Sequence, residues 1–377
     1  MNAERLFLIA KAVKQDLAQT NIGGHLQQLI AALQGQINQP QAAQFQQQVS
    51  QIKSSIMQSL DKAPSNEFSP SWRQVIAEIG ANGLLGKELQ YQIESVFNRN
   101  QITPSLALTD IQGLHGRISQ LQAVIDQLIS SFSALKIGED HIESGMAEIG
   151  ILIPRAFVGA KLGRFADELA ELDNILKTFS EVATGRTADW DIRAISSSDL
   201  TVYITAGLKV AALMAVTLER IIAAYKNLLD IRKLRSDLSN KGVPENALSD
   251  IEKYARSLMG NAIDDMVKGL VEEFYEHEDK DRKNELVTAL RYASKRLAAR
   301  IDRGFNIEVR AEQPKDKGAP GSQKNTGEGA ASQEYCARIS SATKALEFMK
   351  LEGDPILQLP GPGGDGTQPQ VGEKLRN

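Results

Sequence analysis

Glu273 and His277 stand four residues apart, a spacing that puts two metal-capable side chains on one face of a helix. They belong to Glu272-Glu-Phe-Tyr-Glu-His277-Glu-Asp279, the densest run of such side chains in the chain. A helical zinc site of the HExxH kind needs a second histidine, and none is near. An acidic run directly ahead of Lys280-Asp-Arg282-Lys283 reads instead as a solvated helix end. The other histidines, His25, His115 and His141, fall in separate segments with no nucleophile or ligand motif beside them.

Gly80-Ala-Asn-Gly83-Leu-Leu-Gly86-Lys87 imitates a phosphate-cradling loop. That loop needs GxxxxGK followed by Ser or Thr, because the amides wrap phosphate and the hydroxyl holds magnesium. Here position 81 is Ala, position 88 is Glu and no strand precedes, so a helix end and turn is the expectation. Gly159 and Gly163 have the spacing of a membrane-helix dimer motif, but Lys161 and Arg164 exclude the apolar context it requires. The single cysteine, Cys336, rules out an intramolecular disulfide and an all-cysteine metal site, and indicates a reducing compartment. No cofactor, metal or catalytic residue is predicted; an enzyme of unrecognised type, assembled only by the fold, stays open as a second alternative.

The elements behind these residues are helical. A 5% aromatic content with abundant Ala, Leu, Ile and Gln favours helices packed by aliphatic side chains over a sandwich or barrel. Apolar positions recur at helical spacing in Leu6 to Leu17, Leu26 to Ile37 and Phe45 to Leu60. The clearest pattern is Leu114, Ile118, Leu121, Ile125, Leu128, Phe132 and Leu135, alternating four and three like a coiled-coil seam. It closes on a second copy or on helices of the same chain; the poverty of flanking charges tilts the choice to the latter. Residues 1–140 are thus read as a helical bundle with a coiled-coil seam.

Residues 141–312 change texture. Ile149 to Ile153 is β-branched and stopped by Pro154, and Trp190 to Ala194, Leu200 to Ile204 and Phe305 to Val309 alternate like strands. About three short strands are expected around a long central helix at about 206–239. That helix starts apolar on every side, which raises the question of a membrane span. One central lysine, Lys209, costs about 2.5–3.5 kcal/mol on insertion and cancels most of what the apolar residues gain. A core helix with an amphipathic second half is the preferred reading. Its basic residues Lys209, Arg232, Lys233 and Arg235 are the candidates for contact with an acidic partner or anionic headgroups.

Lys-, Gly-, Pro- and Ser-rich 313–332 reads as a flexible linker, 333–360 as a tethered amphipathic helix plus an apolar motif, and 361–377 as a disordered tail. Ile356, Leu357 and Leu359 form the candidate docking motif, in cis or in trans. The net charge of −4 and pI near 5.8 make nucleic acid an unfavoured partner, and no signal-peptide pattern opens the chain. The chain reads as a mainly α, non-enzymatic cytoplasmic interaction or scaffold protein that self-associates through helices and binds an unidentified protein partner. The competing class is a conditional membrane-binding or membrane-disrupting effector that deploys residues 206–238.

Overall fold

A computed structural model describes residues 3–100, 103–138, 141–196, 200–276, 279–312, 327–345 and 354–359. They are mainly helical with one four-stranded antiparallel sheet, its strands falling on the four alternating or β-branched segments where about three were expected. The chain divides into two compact units, Met1–His141 and Ile142–Asn377, each with its own apolar core.

The first unit contains α1 (Ala3–Thr20), α2 (Ile22–Asn38), α3 (Ala43–Asp61), a 3-10 turn (Pro64–Glu67), α4 (Pro70–Glu78), α5 (Gly86–Arg99) and α6 (Pro104–Ala134). Asn21 breaks α1 from α2 by adopting φ 43°, a left-handed conformation that asparagine tolerates better than most side chains. Ser69 caps α4, accepting from the Trp72 amide at 3.4 Å, with Pro70 in its first turn. Buried Asp16 joins α1 to the 3-10 turn by accepting from the Ser65 amide at 2.7 Å. Burial pushes its carboxyl above the usual range, and the Ser65 bond only partly opposes that. A carboxyl whose folded pKa is raised favours folding most below its unfolded value of 3.8, and that contribution is lost as pH rises through the folded pKa. Asp16→Asn, which keeps an acceptor without the charge, should match or exceed the native chain in urea midpoint at neutral pH. Asp16→Ala should lose about 1–3 kcal/mol by orphaning the Ser65 N–H.

The second unit runs β1 (Met146–Ile153), α7 (Arg155–Val158), α8 (Leu162–Thr184), β2 (Asp191–Ile195), β3 (Leu200–Gly207), α9 (Leu208–Asn240), α10 (Glu245–Phe274), α11 (Lys280–Ile301), β4 (Asn306–Ala311) and α12 (Gly327–Ala345). Strand order is β2-β3-β1-β4 and every neighbouring pair is antiparallel. β1 and β2 are therefore parallel with β3 between them, as are β3 and β4 with β1 between them. This is a doubled split β-α-β connection in which α9, α10 and α11 stand where the second crossover has one helix.

Ala147, Ile149, Ile151 and Ile153 of β1 share a face with Val202, Ile204, Ile307 and Val309 and pack into the core with α8, α9 and α11. Helix α9 is the spine: it contacts β1, β3, β4, α8, α10, α11 and α12. Near its start, Val210 to Ala215 are buried on all sides.

The sheet's other face is polar. Glu148 on β1 is 2% exposed and lies between Arg193 at 3.3 Å and Arg310 at 3.5 Å. Beside it Gly150 has no room for a side chain, since a Cβ would meet the Tyr203 ring at 2.8 Å and Glu308 Cγ at 3.0 Å. Gly150→Ala should cost about 1–3 kcal/mol by displacing that ring, read as a lower denaturant midpoint.

Helical spacing puts Arg291, Lys295, Arg296, Arg300 and Arg303 largely on the outward face of α11, yet the helix buries Arg296 and Arg300. Arg300 forks onto Glu168 of α8, Nε to Oε1 at 2.5 Å and Nη2 to Oε2 at 3.1 Å, and Arg296 pairs with Glu171. Arg291 and Lys295 hold Asp264 of α10 at 2.8 and 3.6 Å. Asp279 caps the helix by accepting from the Asp281 and Arg282 amides. In α10, helical spacing groups Tyr254 and Leu258 with Ile251, Ile263, Val267, Leu270 and Phe274 on one apolar face, yet Tyr254 and Leu258 are exposed. Ala255 and Met259 take the inward places, because the face is set by α9, which α10 packs along.

Candidate docking site

The most enclosed polar constellation is built on Asp302, which follows the last residue of α11 and is fully buried. Tyr225 and Arg232 of α9 are two turns apart on one face and both point at it. The Tyr225 hydroxyl donates to Oδ1, and Arg232 Nη1 donates to Oδ1 at 3.0 Å, to the Asp302 carbonyl at 2.9 Å and to the Tyr225 oxygen at 2.8 Å. The opposite oxygen, Oδ2, accepts from the backbone amides of Ile356 and Leu357, each at 2.7 Å. A charged acceptor meeting two consecutive amides is stronger than a neutral pair and reads the main chain rather than a side chain. Pro355 has no N–H, so Ile356 is the first residue after it able to donate.

Burial, followed by the negative charge of Asp302, pushes the Tyr225 hydroxyl far above its usual range; Arg232 opposes the shift without cancelling it. Tyr225 therefore stays a donor at ordinary pH. Arg303 next door is lowered, first by burial and then by Arg300 and Arg232, with Asp302 opposing. The group is enclosed and its acceptor oxygens are engaged, an arrangement suited to holding a peptide rather than to chemistry on a substrate.

Ile356 and Leu357 of the expected docking motif are buried in the unit's core, whereas Leu359 is 39% exposed. Helix α12 accompanies them. Cys336, Ile339 and Ala342 are buried, Thr343 Oγ1 donates to the Val309 carbonyl at 3.1 Å, and Arg338 pairs with Glu273. Burial pushes the Cys336 thiol up. Leu346 and Met349, which helical spacing adds to the apolar face of Tyr335, Ile339 and Ala342, lie outside the described residues, as does His277.

Of the four candidate basic residues, Arg232 serves Asp302, Arg235 pairs with Glu252 at 2.7 Å, and Lys209 with Glu276 at 2.7 Å. Lys233 is exposed. The amphipathic pattern puts Arg232 and Arg235 on the solvated side of the helix; they turn inward because Asp302, just past α11, and Glu252 of α10 lie there. Among the described residues no helix is long and apolar enough to cross a membrane.

In the first unit the seam residues Leu114, Ile118, Leu121 and Ile125 are buried and Leu128 is partly so, in a core that α6 shares with α1, α2 and α5. Phe132 meets Phe7 edge to face at 5.7 Å, and Leu135 is 70% exposed. The glycine loop is tied by its own neighbours: Gly83 N donates to Glu88 at 3.0 Å and Lys87 N to Asn66 at 2.8 Å. An open groove of about 350 Å³ between α5 and α6 is lined by Tyr91, Arg99, Asp110 and Leu114 among others. Among the described residues no three His, Cys, Asp or Glu side chains gather as a metal would need.

Asp302 carried no sequence signal, since Asp-Arg-Gly after a helix looks like an ordinary turn. No protein-family model, curated protein or solved structure matches the chain.

Proposed function

We propose that this chain is a non-enzymatic interaction protein whose interacting element is its own C-terminal segment, α12 with residues 354–359, held in store on the core of the second unit. The observation that carries this reading is the pair of Ile356 and Leu357 amides on the buried Asp302 carboxylate. A segment that adds apolar surface to a finished core, and is read through its backbone, has the character of a bound peptide that happens to be covalently attached. The cytoplasmic location and an unidentified protein partner belong to the same proposal. So does self-association, which this reading moves from the α6 seam to the C-terminal segment, because the seam up to Ile125 is buried inside the first unit.

Cys336, the chain's only thiol and 3% exposed, reports the state of α12 directly. In the folded protein a thiol reagent should modify it only as fast as α12 detaches, orders of magnitude more slowly than in denaturant. Ile356→Asp together with Leu357→Asp should accelerate that labelling while the circular dichroism of the core persists. Labelling of the unaltered protein at the rate of the unfolded chain would remove the basis for a stored segment.

A further inference from the structure

The contacts that hold the C-terminal segment contain nothing that requires it to belong to the same molecule. We propose that the Asp302 site accepts residues 354–359 from a second copy of this chain, with α12 carried along, so that two copies associate by exchanging their C-terminal segments. This rests on the docking read above and adds the identity of the partner.

Three observations support it. Recognition uses two backbone amides and two aliphatic side chains, which a second copy supplies identically. The exchanged piece is large and complementary to this chain in particular: Cys336, Ile339, Ala342, Ile356 and Leu357 all enter the core, and Arg338 finds Glu273. The connection between β4 and α12 is long enough. Residues 313–326 include Ala319 but no Leu, Ile, Val, Met or aromatic residue. Fully extended they reach roughly 45–50 Å, more than twice the radius of gyration of about 17 Å expected for a compact unit of this size. Exchange conserves every contact, so only the effective concentration of the attached segment, of millimolar order, favours the closed single chain. Domain exchange of this kind is a low-cost route to a symmetric pair.

The test uses the full-length chain with a photo-reactive side chain in place of exposed Gln358. Equal parts of heavy-nitrogen-labelled and unlabelled protein are unfolded together and refolded at high micromolar concentration, and the one-chain and two-chain fractions are separated before illumination. Exchange predicts cross-links from position 358 to peptides of the α11–β4 junction in both fractions, with mixed-isotope pairs in the two-chain fraction. It also predicts that Ile356→Asp with Leu357→Asp lowers the two-chain fraction roughly tenfold or more. Same-isotope pairs only, the absence of a two-chain fraction, or a two-chain fraction that the double substitution leaves unchanged would overturn exchange while leaving docking within one chain intact. Failure of position 358 to cross-link to that junction in either fraction would overturn exchange and the stored-segment reading together.

Discussion

Asp302→Ala should lower the stability of the second unit by about 3–5 kcal/mol, because it takes a buried carboxylate partner from the buried Arg232 cation and removes the acceptor for two tail amides. More telling is the expected failure of Asp302→Asn to rescue it. Every group that meets this carboxylate is a donor: the Tyr225 hydroxyl, the Arg232 guanidinium and the amides of Ile356 and Leu357. An asparagine offers an acceptor at one end only, so its NH2 must face donors whichever way it is turned. The loss for Asn should approach that for Ala, and Cys336 should become reactive in both. Trp72 and Trp190 lie one in each unit, so urea titration followed by fluorescence in a Trp72→Phe background reports the second unit through Trp190. A loss under about 1 kcal/mol for Asp302→Asn, the range of an ordinary neutral hydrogen bond, would mean that the site does not depend on charge.

Glu168→Ala should destabilise the same unit by a comparable amount, again about 3–5 kcal/mol, since Arg300 is 5% exposed and Glu168 supplies both ends of its fork. The sign should change with the second substitution. Glu168→Leu combined with Arg300→Leu removes both charges and fills the interface between α8 and α11 with apolar volume, so its stability should return near to that of the native chain. The same fluorescence titration compares the single and double variants. A double variant as unstable as the single would show that side-chain volume, or the loss of the Arg300 contact to Glu171 at 3.9 Å, matters more than the buried charge.

Much of the fold is legible in the residues themselves. The apolar stripe of α8 and the inward set Leu286, Leu290, Ala293, Leu297 and Ile301 of α11 are read directly from helical spacing, because a helix buries whichever stripe is apolar. The alternation at Leu200 to Ile204 likewise marks a strand ahead of α9. Boundaries are another matter. The strand runs on to Gly207 because Met146 on β1 pairs with it, and a partner's length is not written in the strand that meets it. Strand order and direction escape for the same reason: they depend on which segments become neighbours, and those neighbours come from distant parts of the chain.

By itself, the amino-acid sequence determined that this chain is mainly helical, that its longest apolar stretch carries a lysine ill suited to a bilayer, and that Ile356 and Leu357 form an apolar pair beyond a polar linker. Periodicity and composition carry that information locally. Only the tertiary structure decided where the charges go. Arg232, Arg296 and Arg300 look like solvated cations on the ends of helices, yet each is buried because Asp302, Glu171 or Glu168 is brought to it by another part of the chain. The docking site arises in the same way. An aspartate one residue past a helix acquires its meaning only when α9 supplies two donors on one side and the chain's own tail supplies two more on the other.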